Sequence, residues 1–206
     1  MKAQLPNLTA EEIEQNWLRY VSLLGKIGDR STAAVNMAEA LGERLALCPA
    51  SAKKDFHRAC AGGLVDHSLR VLTNALTYSK AFGWKLPKDS LILSCLCHDL
   101  GKVGDVDNEY YIAAEEWRAQ KLGELYTYNY DMQHMSNPDR SIFLLQHYGV
   151  KLTQDEHLAI RLNDGYVVEE NKTYCLKEPL LAHVVMTADY VSTMVEKGMF
   201  PSELHL

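Results

Sequence analysis

The chain has 206 residues, of which 47% are hydrophobic and 23% are charged, and its formal net charge is -6 at pH 7. This composition is typical of a globular protein and excludes a disordered chain, a collagen-like repeat and a disulfide-stapled miniprotein. The length predicts one domain or at most two small ones. The acidic charge disfavours tight binding of duplex DNA, which needs Lys and Arg to neutralise phosphates, but it allows a local pocket for one nucleotide.

The five cysteines are odd in number and none forms a C-x-x-C pair, which favours reduced, buried thiols in the cytoplasm. The first residues contain no apolar leader, and no stretch reaches the ~20 apolar residues of a membrane span. We therefore expect a cytoplasmic protein with no membrane partner, and the sequence leaves its oligomeric state open.

Helical signals dominate the N-terminal half of the chain. Thr9 and Glu12 form a capping box, and apolar residues follow it at helical spacing. Pro49 and a Gly-Gly pair interrupt the later helical pattern. The elements predicted for this half are a helix ending near residue 25, a helix over 31–47, an irregular loop over 48–63 and a helix over 64–82.

The next predicted helix is capped by Asp89 and runs through Cys97, and its apolar residues on every face predict a buried central helix. Residues 109–131 contain alternating tyrosines, which are typical of a short exposed β-hairpin. Three further helices are predicted at about 138–148, 153–164 and 180–196. Together these elements predict an all-α fold, a single helical bundle with a small β-hairpin insertion around 109–131.

The most unusual feature is a His98-Asp99 pair at the end of the apolar helix. A carboxylate there must be neutralised, because burying an unpaired charge is costly. Gly101 allows the chain to turn after the pair, and Lys102 brings a cation back towards it. The alternative is an ordinary capping Asp beside a surface His.

His67 and Asp189 extend this pair to a candidate metal centre. His67 follows the Gly-Gly pair in the first turn of a predicted helix, and Asp189 lies within an apolar helix, where an acidic side chain needs a partner. Helices can bring His67, His98, Asp99 and Asp189 to one point. This mixed nitrogen and oxygen set suits a divalent Mn, Fe, Mg, Ni or Zn ion, and the sequence does not choose among them.

The ordered motifs resemble the HD-domain superfamily of metal-dependent phosphohydrolases, whose signature is a His, a His-Asp pair and a distant Asp. PASAKKDFHRACAGGLVDHSL is similar to HD domains of phages, of relaxase proteins of conjugative elements and of YhaM-like exoribonucleases. LTQDEHLAIRLNDG and LLAHVVMTADYVS resemble later helices of the phage-type members. The resemblance implies an all-α HD domain over 45–197, N-terminal helices over 1–44 packed on it, and a tail over 198–206.

At two positions this chain differs in residue type from the relatives that bind a second metal ion. Where those relatives have further His ligands, this chain has Asn137 and Asn163. Asn oxygen binds hard cations weakly and cannot replace imidazole for softer metals. One metal ion is therefore favoured over two, and His134 and Asp164 are the nearby residues that could compensate.

The resemblance implies hydrolysis of a phosphate ester in a small substrate, a nucleotide above all. Asp99 would orient the attacking water, Lys102 would neutralise charge on the phosphate, and His57, Arg58 and Arg70 are candidate substrate-binding groups.

Three interpretations of the activity remain open. They are a nucleotide phosphohydrolase, a phosphodiesterase or nuclease acting on cyclic dinucleotides or single-stranded nucleic acid, and a nucleotide-binding module with low turnover. The remaining histidines are predicted to be structural or solvated: His147, His157, His183 and His205.

Overall fold

The computed structural model describes residues 5–114 and 123–201. These residues form helices and one small sheet, which confirms the predicted fold class. The α helices are α1 (Ala10–Leu24), α2 (Ser31–Ala46), α3 (Gly63–Ala81), α4 (Lys88–Cys97), α5 (Asn137–His147), α6 (Gln154–Arg161) and α7 (Leu180–Glu196). The strands are β1 (Tyr111–Ala113) and β2 (Tyr126–Tyr128), and 3-10 turns occupy Gly28–Arg30, Leu100–Val103, Gly165–Val167 and Glu169–Tyr174.

The N-terminal helices share a hydrophobic core with the rest of the described chain. The predicted capping box is present, because the side chains of Thr9 and Glu12 each accept a hydrogen bond from the backbone N–H of the other. Tyr20 on α1 is buried and donates its hydroxyl proton to the carbonyl oxygen of Leu96 on α4 at 3.0 Å. The division of the chain at residues 44 and 197 stays a prediction.

Helix α4 lies at the centre of the fold, as its apolar sequence predicts. Every residue from Ser90 to Cys97 is buried, and the helix packs against α3, α6 and α7. Burying one large apolar side chain contributes roughly 1.5–3 kcal/mol to stability. The many buried side chains of α4 therefore hold the helix firmly in place, and with it the His98-Asp99 pair that follows its C-terminal end.

Two helix boundaries differ from the sequence-based expectation. Pro87, and not Asp89, occupies the position before α4, and Asp89 lies in the first turn, where it pairs with Arg30 at 3.1 Å. Helix α6 ends at Arg161 rather than near Gly165. This early end leaves Asn163 outside the helix, where its side chain reaches the His-Asp pair.

The predicted hairpin is present as two short antiparallel strands, with Tyr111 opposite Tyr128 and Ala113 opposite Tyr126. The part of the predicted insertion at 115–122 lies outside the described residues, as does the end of the predicted tail, 202–206, with His205. In the described part of the chain, no helix combines the length and hydrophobicity needed to cross a bilayer.

An ion-pair network ties the turn before α2 to α4 and α6. Arg30 lies 2.6 Å from the fully buried carboxylate of Glu156 and also donates to the carbonyl oxygen of Lys151. Burial raises the pKa of Glu156, but the Arg30 guanidinium and the backbone N–H of Thr153 outweigh that effect, so its pKa lies below the ordinary value for Glu.

This network predicts a pH-dependent contribution to stability. Arg30→Met should lower the free energy of unfolding by about 3 kcal/mol at pH 7, because Glu156 is then buried without its cation. A carboxylate with a lowered pKa in the folded state stabilises above its unfolded pKa of about 4.3, and this stabilisation is lost as the pH falls through the folded value. The deficit should therefore shrink at pH 4 in urea unfolding experiments, with the exposed Arg19→Met as control. An equal deficit at both pH values would contradict the electrostatic origin.

Candidate metal centre

His67 is presented by the start of α3, where two glycines shape the backbone. Gly62 has a φ of 73°, in the left-handed region that favours glycine. At Gly63 a Cβ atom would lie 2.1 Å from the carbonyl oxygen of Arg58, so loop 48–63 can approach α3 this closely only at a glycine. The His67 side chain is fully buried.

The His98-Asp99 pair follows the end of α4, and both residues are buried. At Gly101, a Cβ atom would lie 2.3 Å from the carbonyl oxygen of Asn137. The chain turns here as expected, in the 3-10 turn Leu100–Val103, and the close contact is a second reason for a glycine at this position. Helix α5 begins directly against the backbone at Gly101, and any larger residue would push it away from Asp99.

The structure brings the four predicted ligands together. His67 Nε2 lies 3.0 Å from Asp189 Oδ1 and 3.9 Å from Asp99 Oδ2. His98 Nε2 lies 3.4 Å from Asp99 Oδ2 and 3.8 Å from Asp189 Oδ1. Ligands that bind one ion at about 2.0–2.2 Å are separated from each other by about 3–4 Å. These distances therefore have the spacing expected of one coordination shell.

The chemistry of these donors also fits a divalent cation. The Nε2 atoms of His67 and His98 are buried and face the oxygens of Asp99 and Asp189 at 3.0–3.9 Å, but neither makes a hydrogen bond of ordinary geometry within the described chain. Unpartnered buried polar atoms are rare, and a cation between these nitrogens and the carboxylates would give them a partner. Burial lowers the pKa of His67, but the charges of Glu196 and Asp189 outweigh it and raise that pKa to about 10. The site thus attracts positive charge strongly.

The second nitrogen of each imidazole is held by another group. His67 Nδ1 lies 3.0 and 3.1 Å from the two carboxylate oxygens of Glu196, and His98 Nδ1 lies 2.8 Å from the carbonyl oxygen of Cys95. With the proton on Nδ1, each ring donates to its partner and presents Nε2 to the centre. Metal-binding histidines are commonly oriented in this way.

Glu196, whose side chain is fully buried, was not among the residues predicted from the sequence. A signal was nevertheless present, because Glu196 follows Asp189 by seven residues on α7. Seven residues correspond to about two helical turns, so the two carboxylates share one face of the helix.

Asp99 is surrounded by hydrogen-bond donors and cations. Lys102 Nζ lies 2.6 Å from Oδ2, while the amide nitrogens of Asn137 and Asn163 donate to Oδ1 at 2.6 and 3.3 Å. Burial raises the pKa of Asp99, but Lys102 and His98 outweigh it and hold that pKa well below its usual range. Asp99 is therefore a carboxylate at neutral pH.

Of the predicted substrate-binding residues, His57 lies at the centre. One of its ring nitrogens lies within 4.8 Å of the ligating atoms of His67 and Asp99. Burial and the neighbouring His67 hold the pKa of His57 well below its usual range, so the ring is neutral. Its Nε2 is buried and has no hydrogen-bond partner in the described chain.

Arg58 and Arg70 are placed differently. Each has its Nε 2.8 Å from Asp66 Oδ2, and Arg58 also donates to the carbonyl oxygen of Pro6 at 2.6 Å. Their predicted contact with substrate gains no support from this geometry, because Asp66 holds both guanidinium groups. Arg58, which is buried and has a φ of 45°, instead anchors loop 48–63 beside His57.

The two residues considered as compensating ligands do not join the cluster. His134 is exposed, and Asp164 lines the same cavity as Asp99 and Asp189 without belonging to either group of potential ligands. The histidines predicted to be solvated are exposed: His147, His157 and His183.

The comparison with family models identifies an HD domain over residues 64–194. The matched range contains the four clustered candidate ligands and covers well over half of the chain. No curated protein and no solved structure shows significant similarity to the chain. The likeness to phage-type, relaxase-associated and YhaM-like members stays a prediction from local strings.

The contact between Glu196 and His67 predicts an effect on metal affinity. Glu196→Ala should weaken metal binding by about 10–100-fold, because the imidazole loses the group that orients it and increases its basicity. Glu196→Gln should cost less, since the amide oxygen still accepts the Nδ1 proton. Competition with a chromophoric chelator measures the affinity, and Glu169→Ala, at an exposed carboxylate, is the control. Unchanged affinity in a folded Glu196→Ala protein would refute this role.

Proposed function

The chain belongs to the HD-domain family, and from this we propose that it hydrolyses a small phosphate ester, a nucleotide above all, with one divalent metal ion. The family implies a metal-dependent phosphohydrolase in general terms. The observation that carries the proposal for this chain is the cluster of two buried imidazole nitrogens that face the carboxylates of Asp99 and Asp189 at the spacing of one coordination shell.

We assign the metal to His67, His98, Asp99 and Asp189. Two nitrogen and two oxygen donors suit Mn, Fe, Mg, Ni or Zn. When bound, a divalent ion acts as a Lewis acid that increases the acidity of water and polarises a phosphoryl oxygen.

Three side chains of the protein would then act on water and substrate. Asp99 is ionised and held by Lys102, and as a ligand of the metal ion it would help to position the attacking water. The Lys102 ammonium lines the cavity and would neutralise charge that develops on the phosphate. His57 is neutral and has a free Nε2, so it can donate one hydrogen bond to a phosphate oxygen.

One ion is favoured over two because of the residues around Asp99. A second ion next to Asp99 would need Oδ1 as a ligand, but that oxygen already accepts from the amides of Asn137 and Asn163. Lys102 supplies a further positive charge beside Oδ2. Donors and an ammonium group thus occupy the positions around this carboxylate where a second cation would bind.

A substrate panel tests the proposed reaction. Metal-loaded protein is incubated with nucleoside mono- and triphosphates, a cyclic dinucleotide and a labelled single-stranded oligonucleotide. Release of phosphate from a small ester, abolished by a chelator, is the expected result. Cleavage of the cyclic dinucleotide or shortening of the oligonucleotide would instead indicate a phosphodiesterase or nuclease. Binding without turnover would indicate a nucleotide-binding module and contradict the proposal.

A substitution of Lys102 can distinguish an effect on metal binding from an effect on catalysis. Lys102→Met keeps the stem but removes the charge, so metal content should be unchanged while turnover falls by about 10²–10³-fold. Elemental analysis and steady-state kinetics measure the two properties, and Lys53→Met, at an exposed lysine paired with Glu124, is the control. A wild-type turnover rate in Lys102→Met would exclude the proposed role.

The two asparagines test the number of metal ions. Changing Asn137 and Asn163 together to His should raise the metal content from about one towards two ions per chain, because imidazole binds transition metals better than an amide does. Mass spectrometry under native conditions counts the ions in the wild type and in the double variant. A wild-type protein that already holds two ions would show that the one-ion proposal is wrong.

A further inference from the structure

The metal centre opens into a cavity of about 530 Å³, a volume typical of a small-molecule site. The residues that line the cavity differ between its two ends, one of which is polar and the other apolar. The inner end carries the polar side chains of Asp99, which is buried, and of Asp189 and Lys102, which are half-buried. The other end contains Val167, which is 91% exposed, and Tyr190, which is 58% exposed, so the apolar side chains lie at the mouth.

The charges of this cavity limit the number of phosphates it can bind. Among the described lining residues, Lys102 is the only cationic side chain, and Asp99 holds it at 2.6 Å. A divalent ion and Lys102 together carry three positive charges, which the carboxylates of Asp99, Asp164 and Asp189 balance. A single phosphate can bind at the metal, but the second and third phosphates of a triphosphate would find no free Lys or Arg partner.

The apolar end offers a surface for a flat ring. Met186 and Tyr190 are four residues apart on α7 and therefore neighbours on its surface, and Val167 faces the same cavity from the 3-10 turn. Tyr190 meets Phe200 edge-on at 6.2 Å between ring centroids. Tyr190 nevertheless remains exposed, so its ring is accessible to a ligand. We call Val167, Met186 and Tyr190 the apolar shelf.

The apolar shelf lies close to the position of the phosphate. Asp189, which faces the metal centre, directly precedes Tyr190 and follows Met186 by three residues. Side chains three or four residues apart on a helix are separated by about 5–6 Å, which applies to Met186 and Asp189 and to Met186 and Tyr190. Tyr190 therefore adjoins Met186 on the shelf and lines the same cavity as Asp189. One sugar ring spans a distance of that size between a phosphate and a ring.

We propose that the site takes nucleoside monophosphates, with the phosphate at the metal centre and the base on the apolar shelf. This inference deepens the proposed phosphohydrolase function and rests on it for the reaction, but the preference for the ligand can be measured separately. Tyr190 is then a specificity-determining residue, because base–aromatic stacking distinguishes a nucleotide from the same phosphate without a base.

Ribose 5-phosphate provides the matched comparison, since it lacks only the base. The kcat/KM for the best of AMP, GMP, CMP and UMP should exceed that for ribose 5-phosphate by about tenfold or more, as expected for one stacking contact. The corresponding triphosphate should be a poor substrate. Tyr190→Ala should remove the preference through KM, and Tyr190→Phe should keep it. Tyr174→Ala, at a tyrosine outside this cavity, is the control.

A binding measurement keeps the inference independent of turnover. Isothermal titration of the metal-loaded protein with the same ligands should give the same order of affinity, and elemental analysis should show unchanged metal in Tyr190→Ala. Hydrolysis with no preference for the base, or with preference for the triphosphate, would overturn this inference but leave the phosphohydrolase proposal intact. Preferential binding of the monophosphate without hydrolysis would overturn the phosphohydrolase proposal and support the ligand assignment. Failure to bind any monophosphate would overturn the ligand assignment.

Discussion

The Asp99 carboxylate is almost completely withdrawn from solvent and must be neutralised inside the protein. Lys102 is 2.6 Å away, two asparagine amides donate to its other oxygen, and two imidazole rings lie within 4 Å. Helix α4 places Asp99 at the centre of the fold, and residues from α3, α5 and the segment after α6 surround the carboxylate. The proposed cation binding follows from this arrangement, because the two imidazole nitrogens that face the carboxylates have no other partner among the described residues.

Close backbone approaches and one long helix keep these groups in place. Gly63 lets loop 48–63 reach α3, and Gly101 lets α5 reach the turn after α4. Helix α7 contributes Asp189 to the cluster, Glu196 to the orientation of His67, and an apolar surface to the cavity. Metal binding, orientation of a ligand and recognition of a substrate would thus depend on the position of a single helix.

Much of this arrangement could be predicted from the sequence. The capping box at Thr9 and the apolar α4 segment predicted their helices correctly, because these signals are local. The order of the His and Asp residues indicated the ligands. The ion pairs of Asp66 with Arg58 and Arg70 were not predicted. The pair with Arg58 depends on how loop 48–63 folds back onto α3, and local sequence patterns do not contain that information. Glu196 was missed for a different reason. Its two-turn spacing from Asp189 indicates a role at the site only when it is known that His67 packs against this face of α7.

The central claim is that His67, His98, Asp99 and Asp189 hold one divalent ion. Anomalous diffraction from crystals of Mn²⁺-loaded protein, recorded on both sides of the metal absorption edge, tests it directly. One anomalous peak per chain is expected, about 2.0–2.3 Å from the four ligating atoms. A peak elsewhere, two peaks that share Asp99, or no peak at full Mn²⁺ loading would contradict it.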